Sequence, residues 1–487
     1  MTTNYVACDL GAESGRVIEG TLNKGKLLLS ELHRFPNQPI QDKTSLYWDI
    51  PKLFQETLIG LRKVAQREDP VAGVSCDSWG VDYMLFEADG SLITPTYHYR
   101  DPRSQAGMKE ALAKVPWETI YAETGIQKMP INTLFQLVSE KSKRIGRAHQ
   151  LLSVADGFNY LLCGAGKCEV SMASTTQLYN PVEKNWSDKL IHGLRLPRQL
   201  FPSIVPSGTV LGPLRSEIAQ QTGLEDVQVI ASCSHDTAAA VAGLPASGEN
   251  WAFLSSGTWS LMGVELREPI INDLSRDLNF TNEIGYGNTV RLLKNIAGLW
   301  IVQECRRQWA EKEQDLDYDV MTHLAASAPP FESLINPTDP RFLEPGDMPA
   351  RIQAYCKETG QTVPRKPGPI IRCVLESLAL LYRKTLREIE SITGRKVDCL
   401  HIVGGGTKNT LLNHFTANAL QIPVVIGPAE ATAAGNVLVQ AMALGHVSSL
   451  GEARKIVRDS FNTENIQPHA AAWSAAFERL EKLFSPA

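Results

Sequence analysis

Asp9-Leu-Gly-Ala-Glu-Ser-Gly-Arg16 lies between two runs that read as strands, residues 6–8 before it and residues 16–20 after it. The chain turns again at Asn23-Lys-Gly25 and returns through residues 26–32, so this region predicts three consecutive strands. Glycines in the first turn permit positive φ and close approach of the backbone to a ligand, and successive N–H groups there can form an anion nest. The stretch therefore predicts either a phosphate-binding turn or a plain hairpin whose glycines serve turn geometry.

The side chains of this turn add to the phosphate interpretation. Ser14 offers a hydroxyl donor and Arg16 a fixed positive charge. Asp9 follows the end of a strand and can hold a divalent ion through water, because Mg²⁺ keeps much of its hydration shell. The same carboxylate could instead cap the hairpin, so the motif alone leaves both interpretations open.

The next elements indicate the class of fold. Asp49 can cap a helix in which Pro51 fits the first turn, and residues 71–76 form a nearly continuous apolar run typical of a strand covered on both faces. The order strand-strand-strand-helix-strand differs from the strand-helix-strand order that opens a dinucleotide-binding fold. We therefore expect an α/β protein, and the lack of a GxGxxG after a strand disfavours a dinucleotide-binding oxidoreductase.

The second half of the chain opens as the first half does. Residues 251–254 and 259–264 predict two strands, and Ser255-Ser-Gly-Thr258 predicts the tight turn that joins them. A pair of such hairpins is a weak internal duplication. Two facing nests would hold phosphates from both sides of a cleft, so that closing the halves would assemble the site.

Length and composition limit the possible classes of protein. A chain of 487 residues is too long for one core, and Gly243-Leu-Pro-Ala-Ser-Gly248 predicts a break between domains at residues 1–245 and 246–487. A net charge of −5 predicts no nucleic-acid or acidic-membrane partner. Without a signal-peptide pattern or an apolar run of about 20 residues, the sequence predicts a cytoplasmic protein with no membrane segment.

The nine cysteines are scattered and lack CxxC pairs or metal-ligand spacing. This pattern predicts reduced, mostly buried thiols. Cys356 and Cys373 could pair if their segments meet in the fold.

Asp236 is the candidate for the chemical step. It follows an apolar strand predicted at residues 227–231 and precedes a helix of small residues at the proposed domain boundary. Phosphoryl transfer needs charge compensation, placement in line, and one acceptor for the proton of the alcohol, which a carboxylate here can supply. A helix N-cap is the competing interpretation. The flanking His235 and Thr237 could reach a sugar, which favours the catalytic one.

Two further motifs carry weaker predictions. Asp77-Ser-Trp-Gly-Val-Asp82 combines an aromatic ring, a glycine and two carboxylates, which suits a polyol but equally suits a structural turn. Asp101 and Arg103 either join that site or form a surface ion pair. Gly404-Gly-Gly406 lies between a predicted strand and helix, where a flat ring could lie against bare backbone with Asn409 bonded to it. A tight strand-to-helix connection is the alternative.

These motifs, in this order, resemble the FGGY family of carbohydrate kinases, and within it the kinases that act on L-rhamnulose. The resemblance runs from Val6 to about Gly445. It rests on DLGAESGR, SLYWDI, DSWGVDYML, YRDPRS, GIQKMPINTLFQL, ASTTQLYNP, SHDTAAAVA, FLSSGTWSLMG, NFTNE, LLKNIAGLWIVQE, INPTDPRF, LHIVGGGTKNTLLN and GPAEATAAGN. NTLFQL and LKNIAGLW distinguish this group from glycerol and xylulose kinases.

The resemblance implies two actin-like, ribonuclease-H-type ATPase domains flanking a catalytic cleft, with ATP and Mg²⁺ as cofactors. The implied reaction transfers phosphate from MgATP to the 1-hydroxyl of L-rhamnulose, with Asp236 as general base and Asp9 at the metal. Implied nucleotide contacts are Ala12, Glu13, Ser14, Gly15, Arg16, Thr258, Gln303 and Gly405. Implied ketose contacts are Gly80, His235, Asp236, Thr237 and Asn295.

Glu13 departs from the family, which has a small hydroxyl residue in its place. A carboxylate beside a triphosphate repels it unless it points away or joins the metal shell.

Alternatives to the implied activity are a kinase for L-fuculose or xylulose, because sugar pockets differ by single groups, and an actin- or chaperone-like ATPase that binds proteins. A small-molecule ketose is the expected partner, and the expected assembly is a monomer or homodimer.

Overall fold

The computed structural model describes residues 2–67, 69–312, 316–469 and 472–484. The chain forms two compact units. The first comprises Met1–Pro245, Glu265–Leu292 and Glu430–Phe461. The second comprises Ala246–Val264, Leu293–Ala429 and Asn462–Ala487. The chain thus first leaves the first unit between residues 245 and 246, and it returns to that unit twice.

Strands and helices alternate along the chain. The strands are Thr2–Leu10 (β1), Ser14–Asn23 (β2), Lys26–Pro36 (β3), Ile40–Gln41 (β4), Leu46–Trp48 (β5), Val71–Ser78 (β6), Tyr83–Phe86 (β7), Thr96–Tyr97 (β8), Gln150–Ser153 (β9), Cys168–Glu169 (β10), Tyr179–Asn180 (β11), Asn185–Trp186 (β12), Ile204–Val205 (β13), Thr209–Pro213 (β14), Gln228–Ala231 (β15), Trp251–Ser256 (β16), Trp259–Leu266 (β17), Thr281–Ile284 (β18), Val290–Ala297 (β19), Cys399–Val403 (β20), Val424–Ile426 (β21) and Glu464–Ile466 (β22).

The helices are Ile50–Ala65 (α1), Arg103–Lys114 (α2), Trp117–Thr124 (α3), Thr133–Val138 (α4), Ser142–Arg147 (α5), Val154–Cys163 (α6), Val170–Thr175 (α7), Asp188–Gly193 (α8), Ser216–Thr222 (α9), Asp236–Ala242 (α10), Asp273–Asp277 (α11), Trp300–Glu311 (α12), Tyr318–Ala326 (α13), Met348–Glu358 (α14), Pro367–Thr393 (α15), Thr410–Leu420 (α16), Ala431–Ala443 (α17), Leu450–Ser460 (α18) and Trp473–Phe484 (α19). Short 3-10 helices lie at Arg198–Leu200, Tyr286–Asn288, Pro340–Phe342 and Gly405–Lys408.

The first unit contains a six-stranded sheet of order β14-β15-β6-β1-β2-β3. Its central strand β1 pairs antiparallel with β2 and parallel with β6. Apolar side chains of α1 and α6 pack against one set of β1 residues, and those of α17 pack against the alternate set. Covering both faces explains why residues 71–76 are almost continuously apolar.

Local signals place α1 as the sequence predicts. The side chain of Asp49 accepts a hydrogen bond from Lys52 N at 3.1 Å, and Pro51 lies in the first turn. The apolar stripe of α1, which includes Leu53 and Leu61, is buried. A capping carboxylate and a proline at the start are sufficient to begin a helix here because neither needs a distant partner.

A seven-stranded sheet of order β18-β19-β17-β16-β20-β21-β22 contains the strands of the second unit. In it β16 pairs antiparallel with β17 and parallel with β20, so β16 and β17 repeat the opening arrangement of β1 and β2. The long helix α15 ends at Gly394, which has φ 68°. The hydroxyls of Ser260 and Tyr382 hydrogen-bond at 2.8 Å and join β17 to α15.

All nine cysteines lie within the described ranges, and none of them forms a disulfide. Cys356 in α14 and Cys373 in α15 are nevertheless neighbours, since each thiol shifts the pKa of the other. Their segments therefore do meet, as the sequence left open, but the thiols are unlinked. Among the described helices, we find none that combines the length and the apolar character needed to cross a membrane.

Candidate functional site

The turn after β1 is tighter than its glycines suggested. Gly11 N donates to the carbonyl of Ser14 at 3.0 Å, and neither Gly11 nor Gly15 has a positive φ. Both positions require glycine because neighbouring atoms leave no room for a Cβ. A Cβ on Gly15 would lie 2.2 Å from the ring of Phe35, and a Cβ on Gly11 would lie 2.9 Å from Ser14 O. The expectation of positive φ was wrong, whereas close backbone approach is what the turn requires.

Arg16 shares its charge with two carboxylates. Its guanidinium donates to Asp9, directly opposite on β1, and to Glu430, which immediately precedes α17. The side chain is only 15% exposed. Arg16 is therefore a paired cation, and an incoming phosphate would replace or join Glu430 as its partner.

The remaining residues of the turn present backbone and small side chains. Ala12 and Ser14 are half-buried, while Glu13 is exposed. The carbonyl of Glu13 accepts from Asn37 N at 3.0 Å, which ties the turn to the segment after β3. Because Glu13 is exposed, solvent and salt screen its charge and limit its repulsion of an anion.

Asp236 is the first residue of α10, and His235 occupies the N-cap position without a side-chain capping bond. The capping interpretation of Asp236 is therefore wrong. One carboxylate oxygen of Asp236 accepts from Thr237 Oγ1 at 3.0 Å and lies 3.5 Å from His235 Nε2. The side chain remains 31% exposed, so an alcohol can reach it.

Burial raises the pKa of the Asp236 carboxyl, and the negative charge of Asp9 raises it further. His235 and the hydrogen bonds from Thr237 act in the opposite direction. The net rise makes Asp236 a stronger proton acceptor than an ordinary aspartate, as expected of a general base.

Gly80 lies beside His235. A Cβ built on Gly80 would be 3.3 Å from His235 Nε2 and 3.2 Å from Thr175 Oγ1. The segments that carry them are bridged, since Ser78 N donates to Ser234 O at 2.9 Å. The structure thus brings together four predicted ketose contacts, namely Gly80, His235, Asp236 and Thr237.

A buried ion pair lies against the other nitrogen of His235. His235 Nδ1 is 3.4 Å from Glu283 Oε2 and 3.2 Å from Arg291 Nη2, and Arg291 is completely buried. Burial acts to raise the pKa of Glu283, but His235 and Arg291 outweigh it and lower that pKa. Sequence reasoning missed both partners. The only signal was the NFTNE motif that ends at Glu283, because the spacing of charges does not show which ones are buried together.

A second buried carboxylate anchors the loop before the base. Glu169 accepts from Ser234 N at 3.2 Å and from the hydroxyl of Ser171, whose oxygen in turn accepts from His235 N at 3.1 Å. Glu169 N donates to Asp156 at 3.2 Å. These bonds fix the backbone that leads into Asp236.

We expect Asp156 to make stability depend on pH. Burial, with the nearby Glu169 carboxylate, raises the pKa of Asp156 from 3.8 to about 7. Folding then favours the protonated acid, so its contribution to stability is present at low pH and is lost as pH rises towards about 7. The free energy of unfolding of Asp156→Asn minus that of the wild type should therefore rise by on the order of 2 kcal/mol from about pH 5.5 to pH 8.

Urea unfolding at both pH values measures this gain. Asp188→Asn is the control, because the side chain of Asp188 is 64% exposed. If the difference in unfolding free energy between Asp156→Asn and the wild type were the same at both pH values, the prediction would be contradicted.

Asp82 and Trp79 serve the fold rather than a ligand. Asp82 is 2% exposed and accepts from the indoles of Trp48 at 2.6 Å and Trp79 at 3.0 Å. Asp101 is likewise buried, where it accepts from Leu46 N at 2.7 Å. The structural interpretation holds for the Asp82 turn. The ion pair between Asp101 and Arg103 is present, with Arg103 Nε 3.8 Å from Asp101 Oδ1, but it is largely buried rather than at the surface.

Asp77 forms a second carboxyl beside Asp9, since the two residues are register partners on β6 and β1. One oxygen of Asp77 accepts from Asn436 at 2.5 Å, and within the described ranges the other has no hydrogen-bond partner. Burial and the charge of Asp9 raise the pKa of Asp77 well above its usual range. Oxygen donors from carboxyl groups suit a hard divalent cation, but the described residues contain no group of three or more His, Cys, Asp or Glu side chains that could hold a metal ion, so Asp9 as a metal ligand stays a prediction.

The second unit brings its predicted nucleotide contacts together. Gln303 Nε2 donates to Thr258 Oγ1 at 3.2 Å. A Cβ on Gly406 would lie 2.0 Å from Ser256 Oγ, whereas Gly405 is exposed with open space beside it. Bare backbone at Gly405 can therefore receive a flat ring.

Two other residues of the second unit were also considered from sequence. Asn409 Oδ1 caps α16 by accepting from Leu412 N at 2.9 Å. That oxygen already has a partner, which favours the structural alternative for this residue. Asn295 lies half-buried in β19. It belongs to the second unit, whereas the other four ketose candidates belong to the first.

Comparisons with known proteins agree along the whole chain. Residues 4–243 match the N-terminal domain of the FGGY family of carbohydrate kinases, and residues 252–444 match its C-terminal domain. The chain is 42% identical over 481 residues to a rhamnulokinase of Bacteroides thetaiotaomicron, covering 98% of each. It is 41% identical over 466 residues to a rhamnulokinase of Enterococcus faecalis, covering 95% of this chain and 94% of that one.

Solved structures are similar in fold at low identity. A gluconate kinase from Lactobacillus acidophilus superposes with a TM-score of 0.83 at 17% identity, covering 99% of this chain and 98% of that one. A glycerol kinase from Plasmodium falciparum with ADP superposes with a TM-score of 0.80 at 14% identity, covering 100% of this chain and 99% of that one. The predicted α/β class with two actin-like ATPase domains is thereby confirmed.

Proposed function

Because the chain belongs to the FGGY family of carbohydrate kinases, we propose that it transfers the γ-phosphoryl group of ATP to the 1-hydroxyl of L-rhamnulose in rhamnose catabolism. The observation that carries the chemistry is the cluster of Gly80, His235 and Asp236, in which a partly exposed carboxylate of raised pKa lies beside an imidazole. The choice of sugar is supported by relatives named rhamnulokinase at 42% and 41% identity.

In this proposal Asp236 accepts the proton of the sugar hydroxyl as the phosphorus–oxygen bond forms. The transition state of phosphoryl transfer is loose, so the main tasks of the protein are placement and charge compensation. Thr237 Oγ1 and His235 Nε2 orient the carboxylate of Asp236. Glu283 and Arg291 contact Nδ1 of the same imidazole, on the side away from Asp236.

The nucleotide is assigned to two sets of residues. Thr258, Gln303 and Gly405 of the second unit form one set, and the other is the turn that ends at Arg16, which presents N–H groups and a cation to phosphate oxygens. The divalent ion is proposed to be Mg²⁺, held at Asp9, where its chemistry is to neutralise charge on the phosphates. We also propose that the protein acts in the cytoplasm, where ATP is available, as a monomer or homodimer.

A kinetic panel of ketoses tests the proposed substrate. L-rhamnulose, L-fuculose and xylulose are each supplied with MgATP, and ADP release and sugar phosphate are both measured. We expect the highest kcat/KM for L-rhamnulose, by about tenfold or more over ketoses that differ by one group. Turnover of L-rhamnulose no better than that of xylulose would refute the assignment, and ATP hydrolysis without any sugar phosphate would instead indicate an actin- or chaperone-like ATPase.

A further inference from the structure

The turn between β6 and β7 contains a β-branched residue in the left-handed region. Val81 has φ +69°, where a side chain with a branched Cβ is a genuine outlier because the Cβ crowds the neighbouring carbonyl. Such strain persists only where surrounding contacts over-determine the backbone, and it concentrates at functional sites. Its presence raises the question of what holds Val81 in place.

Two side chains of α4 hold the carbonyl of Val81. Thr133 Oγ1 donates to Val81 O at 2.6 Å, and Gln136 Nε2 donates to the same oxygen at 3.2 Å. Gln136 Nε2 also donates to Asp82 Oδ1 at 2.9 Å. Both donors are only 1% exposed. Because water does not compete for buried groups, these bonds are stronger than their surface equivalents.

Packing alone does not hold the turn. A cavity of about 10 Å³ is lined by Val81, Thr133 and Thr175 among others, which is room for about one water molecule. The turn could therefore relax towards the cavity if its hydrogen bonds were removed. Two further bonds act on the same turn, since Asp82 N donates to Gly80 O at 2.9 Å and Val81 N donates to Thr175 Oγ1 at 3.5 Å, but the bonds from α4 are the ones that reach the carbonyl of Val81.

The same turn sets the position of Gly80. On the other side of Gly80 lie His235 Nε2 and Thr175 Oγ1, each so close that a Cβ there would be within 3.3 Å of it. If the left-handed residue after it reverted to negative φ, the backbone at Gly80 would move relative to His235. The strain at Val81 is thus coupled to the geometry of the proposed ketose site.

We infer that Thr133 and Gln136 are positioning residues that set ketose specificity, by holding the strained Val81 turn so that Gly80 forms a fixed wall beside His235. The inference rests on the proposed function, because it takes Gly80 and His235 as the ketose site. Both donors belong to the NTLFQL segment, for which the reaction itself provides no role. A wall of fixed backbone discriminates between sugars that differ by a hydroxyl or a methyl, since a shift of about 1 Å changes their placement.

A matched set of threonine variants tests the inference. Thr133→Val is isosteric but lacks the hydroxyl, and Thr133→Ser retains it. Thr57→Val is the control, because Thr57 is buried in α1 and donates only to Leu53 O at 2.9 Å. For each protein, kcat and KM are measured for L-rhamnulose, xylulose and ATP.

We expect Thr133→Val to lower the ratio of kcat/KM for L-rhamnulose over xylulose about tenfold, mainly through KM for the sugar, with KM for ATP unchanged. Thr133→Ser should restore the ratio. Val81→Gly, in which the left-handed conformation carries no strain and the carbonyl acceptor is retained, should fold normally and keep the wild-type ratio. A ratio for Thr133→Val equal to that of Thr57→Val would overturn the inference.

The outcomes separate this inference from the proposed function. If the wild type prefers another ketose, the proposed substrate is wrong, and the same ratio is then measured with the preferred ketose against L-rhamnulose. Loss of discrimination in Thr133→Val still supports the positioning role in that case. An unchanged ratio still overturns it.

Discussion

Asp236→Asn is expected to lose about 10³-fold or more in turnover while it binds nucleotide as tightly as the wild type. The carboxylate of Asp236 is the group proposed to accept the proton of the sugar hydroxyl, and an amide of the same shape cannot do so. Burial, together with the charge of Asp9, raises the pKa of Asp236, which makes it a stronger proton acceptor than an ordinary aspartate. Single-turnover kinetics measures the loss, and calorimetry with ADP measures the retained affinity.

Asp236→Glu is the matched variant, because it keeps a carboxylate but moves it by one methylene. It should recover part of the rate lost in Asp236→Asn, and neither variant should change the KM for ATP. Phosphorylation by Asp236→Asn at the wild-type rate would exclude Asp236 as the base. Loss of ADP binding in that variant would show a nucleotide role instead.

Gly435→Ala is expected to destabilise the protein by about 3 kcal/mol. Gly435 lies in α17 where that helix crosses α10, and an added Cβ would be 1.8 Å from Ala239 O and 2.9 Å from Gly243 N. Backbone atoms cannot rotate out of the way, so one helix has to shift. Because α10 begins at Asp236, such a shift also moves the base, and activity should fall with stability.

Gly146→Ala provides the control for the helix itself. Gly146 is exposed in α5, and an added Cβ there meets nothing within 4 Å. Alanine is the better helix former, so this change should be neutral or stabilise by up to about 1 kcal/mol. Thermal and urea unfolding of both variants make the comparison. A Gly435→Ala protein as stable as Gly146→Ala would contradict the tight crossing of the helices.

The opening of the fold was predictable because its signals are local. The cap at Asp49, the stop at Gly394 and the hairpin around Gly11 each depend on neighbours a few residues away. The position of Asp236 at the junction of a strand and a helix was predictable for the same reason. The role of Glu283 was not, because it depends on the imidazole of His235, which is far from it in the chain, and on the burial of the pair that it forms with Arg291.

For the site residues, too, the sequence showed only what depends on local motifs. Gly80 and His235 carried recognisable motifs, and the structure places them side by side. The conformation of Val81 had no such signal, since valine normally avoids positive φ and the bonds that hold it there, including those from α4, come from tertiary contacts. Asp82 was equally open to either interpretation until the indoles that it binds were located.

The sequence by itself determined the turn from Asp9 to Arg16, the elements that flank it and, through motifs along the whole chain, the family. Local propensity, capping and hydrophobic period act over a few residues, and they can be read without the fold. Only the tertiary structure decided that Arg16 pairs with Glu430, more than 400 residues away, and that residues 430–461 rejoin the first unit. Buried charges take whichever partner folding brings within reach, so their pairing is a property of three-dimensional packing and not of spacing along the chain.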